Sequence, residues 1–588
     1  MKVKVTEWSA LVQVVASTQQ LTAHAGLVLV RELADRLGVG ELLDRVTVKK
    51  RKRGYSPAQA ILALCETLIA GGECLDDVEL LRADSAQRLL RGHGLPEPTT
   101  LGRFLRRFTL GHLGQLNRAL DELFARVHPL VGRESVTLDL DATYLEHHGP
   151  VGSRQGTRGS YKGKVCWHPL CCFVDETGEW LHAKLRNGHA AASTGATRFL
   201  RECLRRLPAG ARVYLRADEG FWGQDFFAEL EREQITYAVG APLIASVRSR
   251  ISEIAERDWQ PSSYRDGSQV ASLQWRPKSW RVERRFVVRR DPAEVGEQLS
   301  LEGREWHYWA LATNDHERTA DEIECWHRAK ANLENRIKEA KLGLGLDNLP
   351  CASFHANRTY LLVTLLAYNL LAWLKLLALP TSERTSYAKR IRFPFIAVAA
   401  TVGRSGRRLV LRLSAGYALL ADFVQTLERI RALARAPARA RRPRPVTHLD
   451  PPLIGAAIPD DPPPSTTPPH NPTPLSPRRP GPTLATAKPW REHRLNRLPQ
   501  DPGSYVSSTA STTPASSVTP TAASPPRCRP SSTAGPLGDT AHCGSAASRS
   551  SASARLTIAS RIGRSQAGVI PSGAVSSRIR PPDVPRSG

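Results

Sequence analysis

The chain has 588 residues, too many for one hydrophobic core, and its length suggests two to four folding units. It carries 82 Lys and Arg against 56 Asp and Glu, a formal net charge of +26, which points to a polyanionic partner, nucleic acid first; a merely basic, Arg-rich protein is the plainer alternative. Ten scattered cysteines form no CxxC pair, which argues against a zinc ribbon and against a disulfide-stapled secreted scaffold.

The N-terminal stretch MKVKVTEWSALVQVV lacks an apolar core followed by a small-residue cleavage site, so no secretory leader is expected. Residues 1–130 read as an α-helical region. Apolar residues recur at helical spacing in LVLVRELADRLGVGELLDRV and PAQAILALCETLIAG. Between them KKRKRGYSP places Lys49, Lys50, Arg51, Lys52 and Arg53 in a basic arm suited to phosphates. In LPEPTTLGRFLRRF, Thr99 or Thr100 is the expected cap of a helix with Leu101, Phe104, Leu105 and Phe108 inward and Arg103, Arg106 and Arg107 outward. That basic face is either a helix-turn-helix-like DNA contact or an ordinary solvated surface.

From residue 131 the texture changes. SVTLDLDATYLEHH is β-rich, KVCWHPLCCFVDETGEWLHAKL reads as two strands about the turn DETGE, and ATRFLRECLRRL is helical. RVYLRADEGF (strand), DFFAELEREQ (helix) and ITYAVGAP (strand) follow, so 131–244 predicts a mixed α/β sheet. Cys166, His168, Cys171 and Cys172 have poor zinc spacing and read as buried strand residues. Residues 245–312 read as a β-rich insertion in which Trp259, Trp275, Trp280, Trp306 and Trp309 stand among many Arg; at least three of these five are expected in the core, and exposed ones suit stacking on unpaired bases. Residues 313–435 read as a helical second part of the same core.

The apolar run TYLLVTLLAYNLLAWLKLLALP, 359–380, is long enough to span a bilayer, but Asn369 and Lys375 interrupt it. A buried core helix is the preferred reading, with no membrane partner. Residues 436–588 are dominated by Pro, Ser, Thr and Arg and hold 19 Lys and Arg against 7 Asp and Glu. They have too little apolar surface to fold, and a disordered tail is expected, either a loose DNA tether or a frameshifted end.

Three groups of carboxylates concern chemistry. In LDLDATYLE, Asp139 and Asp141 point to one face of a strand, where a buried acid must be paired or bind metal. Asp218 sits at the exit of a second strand in YLRADEGF. In CWHRAKANLENRIKEAKLGLG a single helix is expected, with Trp326, Leu333, Ile337, Ala340 and Leu344 on its core stripe. His327, Lys330, Glu334, Lys338 and Lys341 then share another arc. Taken alone, Glu334 reads as part of a surface ladder with Lys330 and Lys338, worth a few tenths of a kcal/mol. Taken with the two strand acids, a three-carboxylate metal site becomes plausible, with the neighbouring bases on phosphates.

The order LDLDAT, RADEGF, HRAKANLENRIKEAK resembles the DDE transposases of bacterial insertion sequences, and is most similar to the insertion sequence thirteen-eighty family in the group that includes the Tn-five type. The resemblance covers roughly residues 20–435 and extends to RGSYKGKVCWHPLCCFV, ETGEWLHAKLRNGHAAAS and RLVLRLSAGY. The family's third motif runs Tyr, two residues, Arg, three residues, Glu, six residues, Lys; here that register reads His327, Lys330, Glu334 and Lys341, so the first two positions depart. The resemblance implies an RNase H-like mixed-sheet α/β catalytic domain interrupted by a β-rich insertion. It implies Asp141, Asp218 and Glu334 as catalytic acids on two Mg²⁺ ions, with Mn²⁺ as a substitute and Asp139 in reserve for the first acid. Lys330, Lys338, Lys341 and His327 would contact DNA. The implied activity is cut-and-paste transposition at terminal inverted repeats into target DNA, by a homodimer assembled on double-stranded DNA in the cytoplasm, at the nucleoid. A decayed or captured transposase that binds without cutting, and an RNase H-like nuclease, are the alternatives.

Overall fold

The computed structural model describes residues 16–435 except 49–53, 161, 279 and 294–305, together with two three-residue strands near the N-terminus. The basic arm Lys49, Lys50, Arg51, Lys52 and Arg53 and the tail 436–588 lie outside the described residues.

Strands β1 (Lys2–Lys4) and β2 (Leu11–Gln13) pair antiparallel, and β3 (Leu21–Thr22) follows. Seven helices come next: α1 (Leu27–Arg36), α2 (Val39–Asp44), α3 (Pro57–Ala70), α4 (Val78–Ala83), α5 (Ser85–Arg91), α6 (Pro98–Arg106) and α7 (Leu110–Val131). Local chemistry sets their ends. Ser56 and Gln59 close a reciprocal capping box ahead of Pro57 in α3. In α6 the cap is Glu97, not Thr99 or Thr100, because Pro98 occupies the first helical position with its preset φ and draws the helix start forward. The two faces of α6 are as expected: Leu101, Phe104 and Leu105 are buried, and Arg103, Arg106 and Arg107 are exposed.

The central layer is a nine-stranded mixed sheet, so the expected α/β class holds. Its strands, with intervening elements, are β4 (Ser135–Ala142), the short β5 (Leu145–Glu146), β6 (Arg158–Gly159) and β7 (Val165–Trp167), then β8 (Leu170–Val174) and β9 (Trp180–Lys184). Helix α8 (Ala196–Leu204), β10 (Arg212–Ala217), α9 (Gln224–Arg232), β11 (Thr236–Ala241) and α10 (Ala245–Ser252) continue the chain. Then come β12 (Gln260–Pro261), β13 (Gln269–Trp275), β14 (Arg284–Pro292) and β15 (Trp306–Thr313). The order across the sheet is β12-β13-β14-β15-β11-β10-β4-β8-β9; β5, β6 and β7 form a small sheet of their own. β10 is parallel to both β4 and β11, as crossovers through α8 and α9 require.

The strands of the 245–312 segment are continuous with the central sheet. The segment opens on a helix, and its strands extend the central sheet because β15 pairs antiparallel with β11. Of its five Trp, Trp259 and Trp280 are buried, Trp275 and Trp306 half-buried and Trp309 exposed, one fewer in the core than expected. Arg side chains interleave with the rings: Arg290 lies over both Trp259 and Trp306, at 4.2 and 4.3 Å.

The expected single helix around Glu334 is two, α11 (Ala320–Arg328) and α12 (Ala331–Gly343), broken at Ala329 and Lys330. Trp326 consequently leaves the Leu333 stripe; it packs beside the Ile323 cluster and edge-on to Tyr214. Helix α13 (Phe354–Leu377) is long and apolar enough to cross a membrane, yet it is buried. It packs on α1, α3, α6, α7 and β9, and one continuous core runs from Leu27 to Ile430. The N-terminal helices thus share the sheet's core, each buried Leu or Phe contributing about 1.5–3 kcal/mol. The polar interruptions of α13 are both satisfied. The Asn369 amide accepts from Trp180 N at 2.9 Å and donates to Trp180 O at 2.8 Å, and Lys375 donates to the Ser386 carbonyl. α14 (Ala388–Ile391), the hairpin β16 (Ala400–Ser405) and β17 (Arg408–Leu413), and α15 (Leu420–Ala432) complete the fold, with β16 also pairing β3.

Candidate active site

Parallel pairing of β4 with β10 sets Asp139 directly opposite Arg216. Both side chains are fully buried, and they form a two-pronged pair, Nε to Oδ1 at 2.7 Å and Nη2 to Oδ2 at 2.9 Å. Arg216 also donates to the Trp326 carbonyl at 2.8 Å and pairs with Asp175 at 2.7 Å. A bidentate guanidinium satisfies a buried carboxylate, which leaves Asp139 no lone pairs aimed at solvent. The reserve acid is thereby a structural residue, and it ties the sheet to α11.

Two residues on, Asp141 ends the same strand face where the strand opens to solvent, and its Oδ1 accepts from Ala142 N at 2.7 Å. Asp218 follows the last residue of β10, and its Oδ1 accepts from Gly220 N at 3.0 Å. The two carboxyls face each other across adjacent parallel strands. Burial first, and then the charge and hydrogen bond of Asp218, push Asp141 up to about 6, with Lys330 opposing from 3.9 Å.

Gly240, on the neighbouring strand β11, is the glycine this geometry requires. A Cβ there would stand 2.7 Å from Glu219 N and 3.1 Å from Asp218 C, so the bare backbone lets the Asp218 turn lie against the sheet. Its one sign in the sequence is a glycine within a strand pattern.

Glu334 lies in the first turn of α12 and is exposed. Among the described residues no ion pair joins it to Lys330 or Lys338, so the surface ladder does not form; Lys330 turns to Asp141 instead. Arg336 fixes the helix by donating to the carbonyls of Val174 and Asp175, at 3.1 and 2.6 Å. Glu334 thus lines two hollows. One, of about 690 Å³, also takes in Asp218, His327, Lys330, Tyr264, Arg289 and Trp309. The other, of about 350 Å³, takes in Asp141, Thr143, Lys338, Lys341 and Asp347. Among the described residues no three His, Cys, Asp or Glu stand close enough together to hold a metal ion, so the pair Asp141–Asp218 is assembled and Glu334 stands at its rim.

The basic residues divide. Lys338 is exposed beside the acids. Lys341 donates to the Tyr144 carbonyl at 2.6 Å and holds the segment after β4. His327 Nε2 donates to the Ala217 carbonyl at 3.0 Å, and burial pushes the imidazole down to about 4. A neutral ring whose one proton is already given has none for a phosphate, contrary to the expected DNA contact; its position instead steadies the residue before Asp218. Arg103, Arg106 and Arg107 line neither hollow.

Sequence reasoning missed the far wall of the larger hollow. The Arg289 guanidinium stacks between Tyr264 and Trp309, at 4.0 and 4.4 Å, and Arg328 covers Tyr264 at 4.3 Å. Trp309 keeps 48 % of its surface exposed. The run of Arg in 284–290 followed by the aromatics of 306–309 was the available signal.

The family model described as transposase DDE domain group 1 matches residues 7–435. No curated protein matches the chain. Seven chains of solved structures match; one is the piggyBac transposase synaptic complex with hairpin DNA, at 10% identity over 65% of this chain and 83% of that one, with a TM-score of 0.35.

Proposed function

The chain belongs to the transposase DDE domain group 1 family, and from that premise we propose that it is a DNA transposase that excises and reinserts an insertion sequence by metal-dependent cleavage and strand transfer at terminal inverted repeats. The observation that carries this reading is the facing pair Asp141–Asp218, with Asp141 pushed up to about 6.

A largely buried carboxylate facing a second, half-buried one is an environment for a hard cation, and their oxygen donors fit Mg²⁺ or Mn²⁺. Asp141 and Asp218 would hold such an ion as they stand, and Glu334 would have to move in from the rim to complete a site for a second; when bound, the ions supply Lewis-acid polarisation of the phosphodiester and a more nucleophilic water or 3′-hydroxyl. Asp139 and Arg216 keep β4 and β10 in register, so the two acids stay opposed. His327 anchors α11 to the residue before Asp218, and Arg336 sets the height of α12 and so of Glu334. Lys338 and Lys330 offer cations to phosphates beside the acids, and Trp309 offers an open aromatic face to an unstacked base. In the first cut the oxygen of water bonds to phosphorus and the bond to the 3′-oxygen breaks. The freed 3′-hydroxyl then attacks a second phosphodiester in the same in-line manner. A homodimer on two DNA ends, working at the nucleoid, and an RNase H-like core complete the proposal.

The test is full-length protein with a duplex carrying the gene's own flanking ends, with and without Mg²⁺, against Asp218→Asn. Strand breaks at the ends that need both metal and Asp218 are the expected result. End binding with no cleavage in Mg²⁺ overturns the enzyme and leaves a captured DNA-binding protein.

A further inference from the structure

Phe393 is 84 % exposed, more than any other large apolar side chain among the described residues. Its backbone is nevertheless pinned. Residues Arg392–Ile396 make one π-helical turn, closed by Ala397 N donating to Arg392 O at 2.8 Å. The Arg392 guanidinium donates to the carbonyls of Leu68, Ile69 and Gly343. The Tyr417 hydroxyl donates to the Pro394 carbonyl, and Gly26 N donates to Ile396 O at 3.2 Å. Phe395 and Ile396 are buried immediately behind. An aromatic ring held outward on a fixed base loses little freedom on binding, which is a feature of recognition residues.

The surroundings state what it would meet. Lys389 and Arg390, on the turn before it, are exposed and have no ion-pair partner among the described residues. The bond from Arg392 to Gly343 ties this turn to the end of α12, the helix that carries Glu334 and Lys338. On that helix Leu342 is 65 % exposed and lines the hollow that contains Asp141 and Glu334. An apolar projection flanked by unpaired cations is complementary to a stacked polyanion: the ring meets bases and the cations meet phosphates. A second copy of this chain fits poorly, since a two-fold contact would set the same Lys389 and Arg390 against each other.

We propose that Phe393 is a wedge that enters the base stack of the bound duplex beside the cleavage site, with Lys389 and Arg390 on the flanking phosphates. It rests on the transposase reading and adds to it a residue that opens the duplex next to the acids.

The experiment uses full-length protein and the flanking-end duplex with 2-aminopurine placed at successive positions near the end, reading fluorescence, affinity and cleavage together. Wild type is expected to raise the fluorescence at one or two adjacent positions. Phe393→Ala is expected to lose that rise and to bind on the order of tenfold more weakly, with an unchanged unfolding midpoint. Its cleavage is expected to recover on a duplex already mismatched at those positions. Phe393→Trp is expected to keep the rise and to show quenched Trp emission on binding. If Phe393→Ala keeps the fluorescence rise while wild type binds and cuts, the wedge is overturned and the transposase stands. If the only change in Phe393→Ala is loss of a dimer, the patch is a subunit contact and the wedge is likewise overturned. Wild type that neither binds nor cuts the ends overturns the transposase reading and the wedge with it.

Discussion

Arg216 grips Asp139 with two hydrogen bonds across the parallel pair β4–β10, while Asp141, two residues further along the same strand face, has among the described residues only Lys330, at 3.9 Å, as a counter-charge. Two acids that look equivalent in LDLD therefore do opposite things. One is an internal tie, and the other lines a hollow open to solvent.

Substitution separates them. Asp139→Ala leaves Arg216 buried with one of its two carboxylates gone, and is expected to destabilise the fold by about 3–5 kcal/mol. Asp141→Asn removes a carboxylate that Asp218 repels, and is expected to leave stability unchanged or raised while abolishing cleavage. Denaturant midpoints of the two variants, measured beside wild type, check this; equal losses of stability would contradict it.

The raised Asp141 carboxyl makes stability pH-dependent with a definite sign. Its folded pKa, about 6, lies above the ordinary value near 4, so between these the folded state binds more protons than the unfolded state. This contribution to stability is present at low pH and is lost as pH rises from about 4 to about 6, on the order of 3 kcal/mol at most. Asp141→Asn is expected to flatten that part of the profile. Mg²⁺ is expected to raise the unfolding temperature of wild type above pH 6, and not that of Asp218→Asn. Thermal unfolding across pH 4–7.5, with and without Mg²⁺, reads both.

Gly240→Ala is a test of positioning. The added methyl meets the backbone of Asp218 and Glu219 rather than a mobile side chain, so the Asp218 turn must move. The expected result is a cleavage rate about 10–100-fold lower with end affinity nearly unchanged. A wild-type rate would show that Asp218 needs no such placement.

The tryptophans divide in the same way. Trp280 is buried against Trp222 and Phe227, with the Arg284 guanidinium over it at 4.7 Å, and Trp280→Ala is expected to cost about 3–5 kcal/mol of stability. Trp309→Ala removes a half-open ring at the hollow, and is expected to weaken DNA binding while shifting the unfolding midpoint little. Paired binding and unfolding measurements distinguish the two.

Periodicity alone determined most elements. The β-rich run SVTLDLDA, the turn DETGE and the apolar spacing of α1, α3 and α8 each mark a local conformation, although β4 is buried on both faces from Val136 to Leu140 and α3 almost all round. The residue types at 139, 141, 218 and 334 likewise marked a candidate site. What the sequence left open were choices between equivalent partners. Asp139 or Asp141, the ladder or the rim for Glu334, and a phosphate or the Ala217 carbonyl for His327 were all decided by strand order and by the break at Ala329 and Lys330. The insertion's strands joined the main sheet because β11 had a free edge for β15, and Trp309 reached the acids by that route. Such outcomes depend on residues about a hundred positions apart meeting at a few ångströms, and no local pattern encodes a distance.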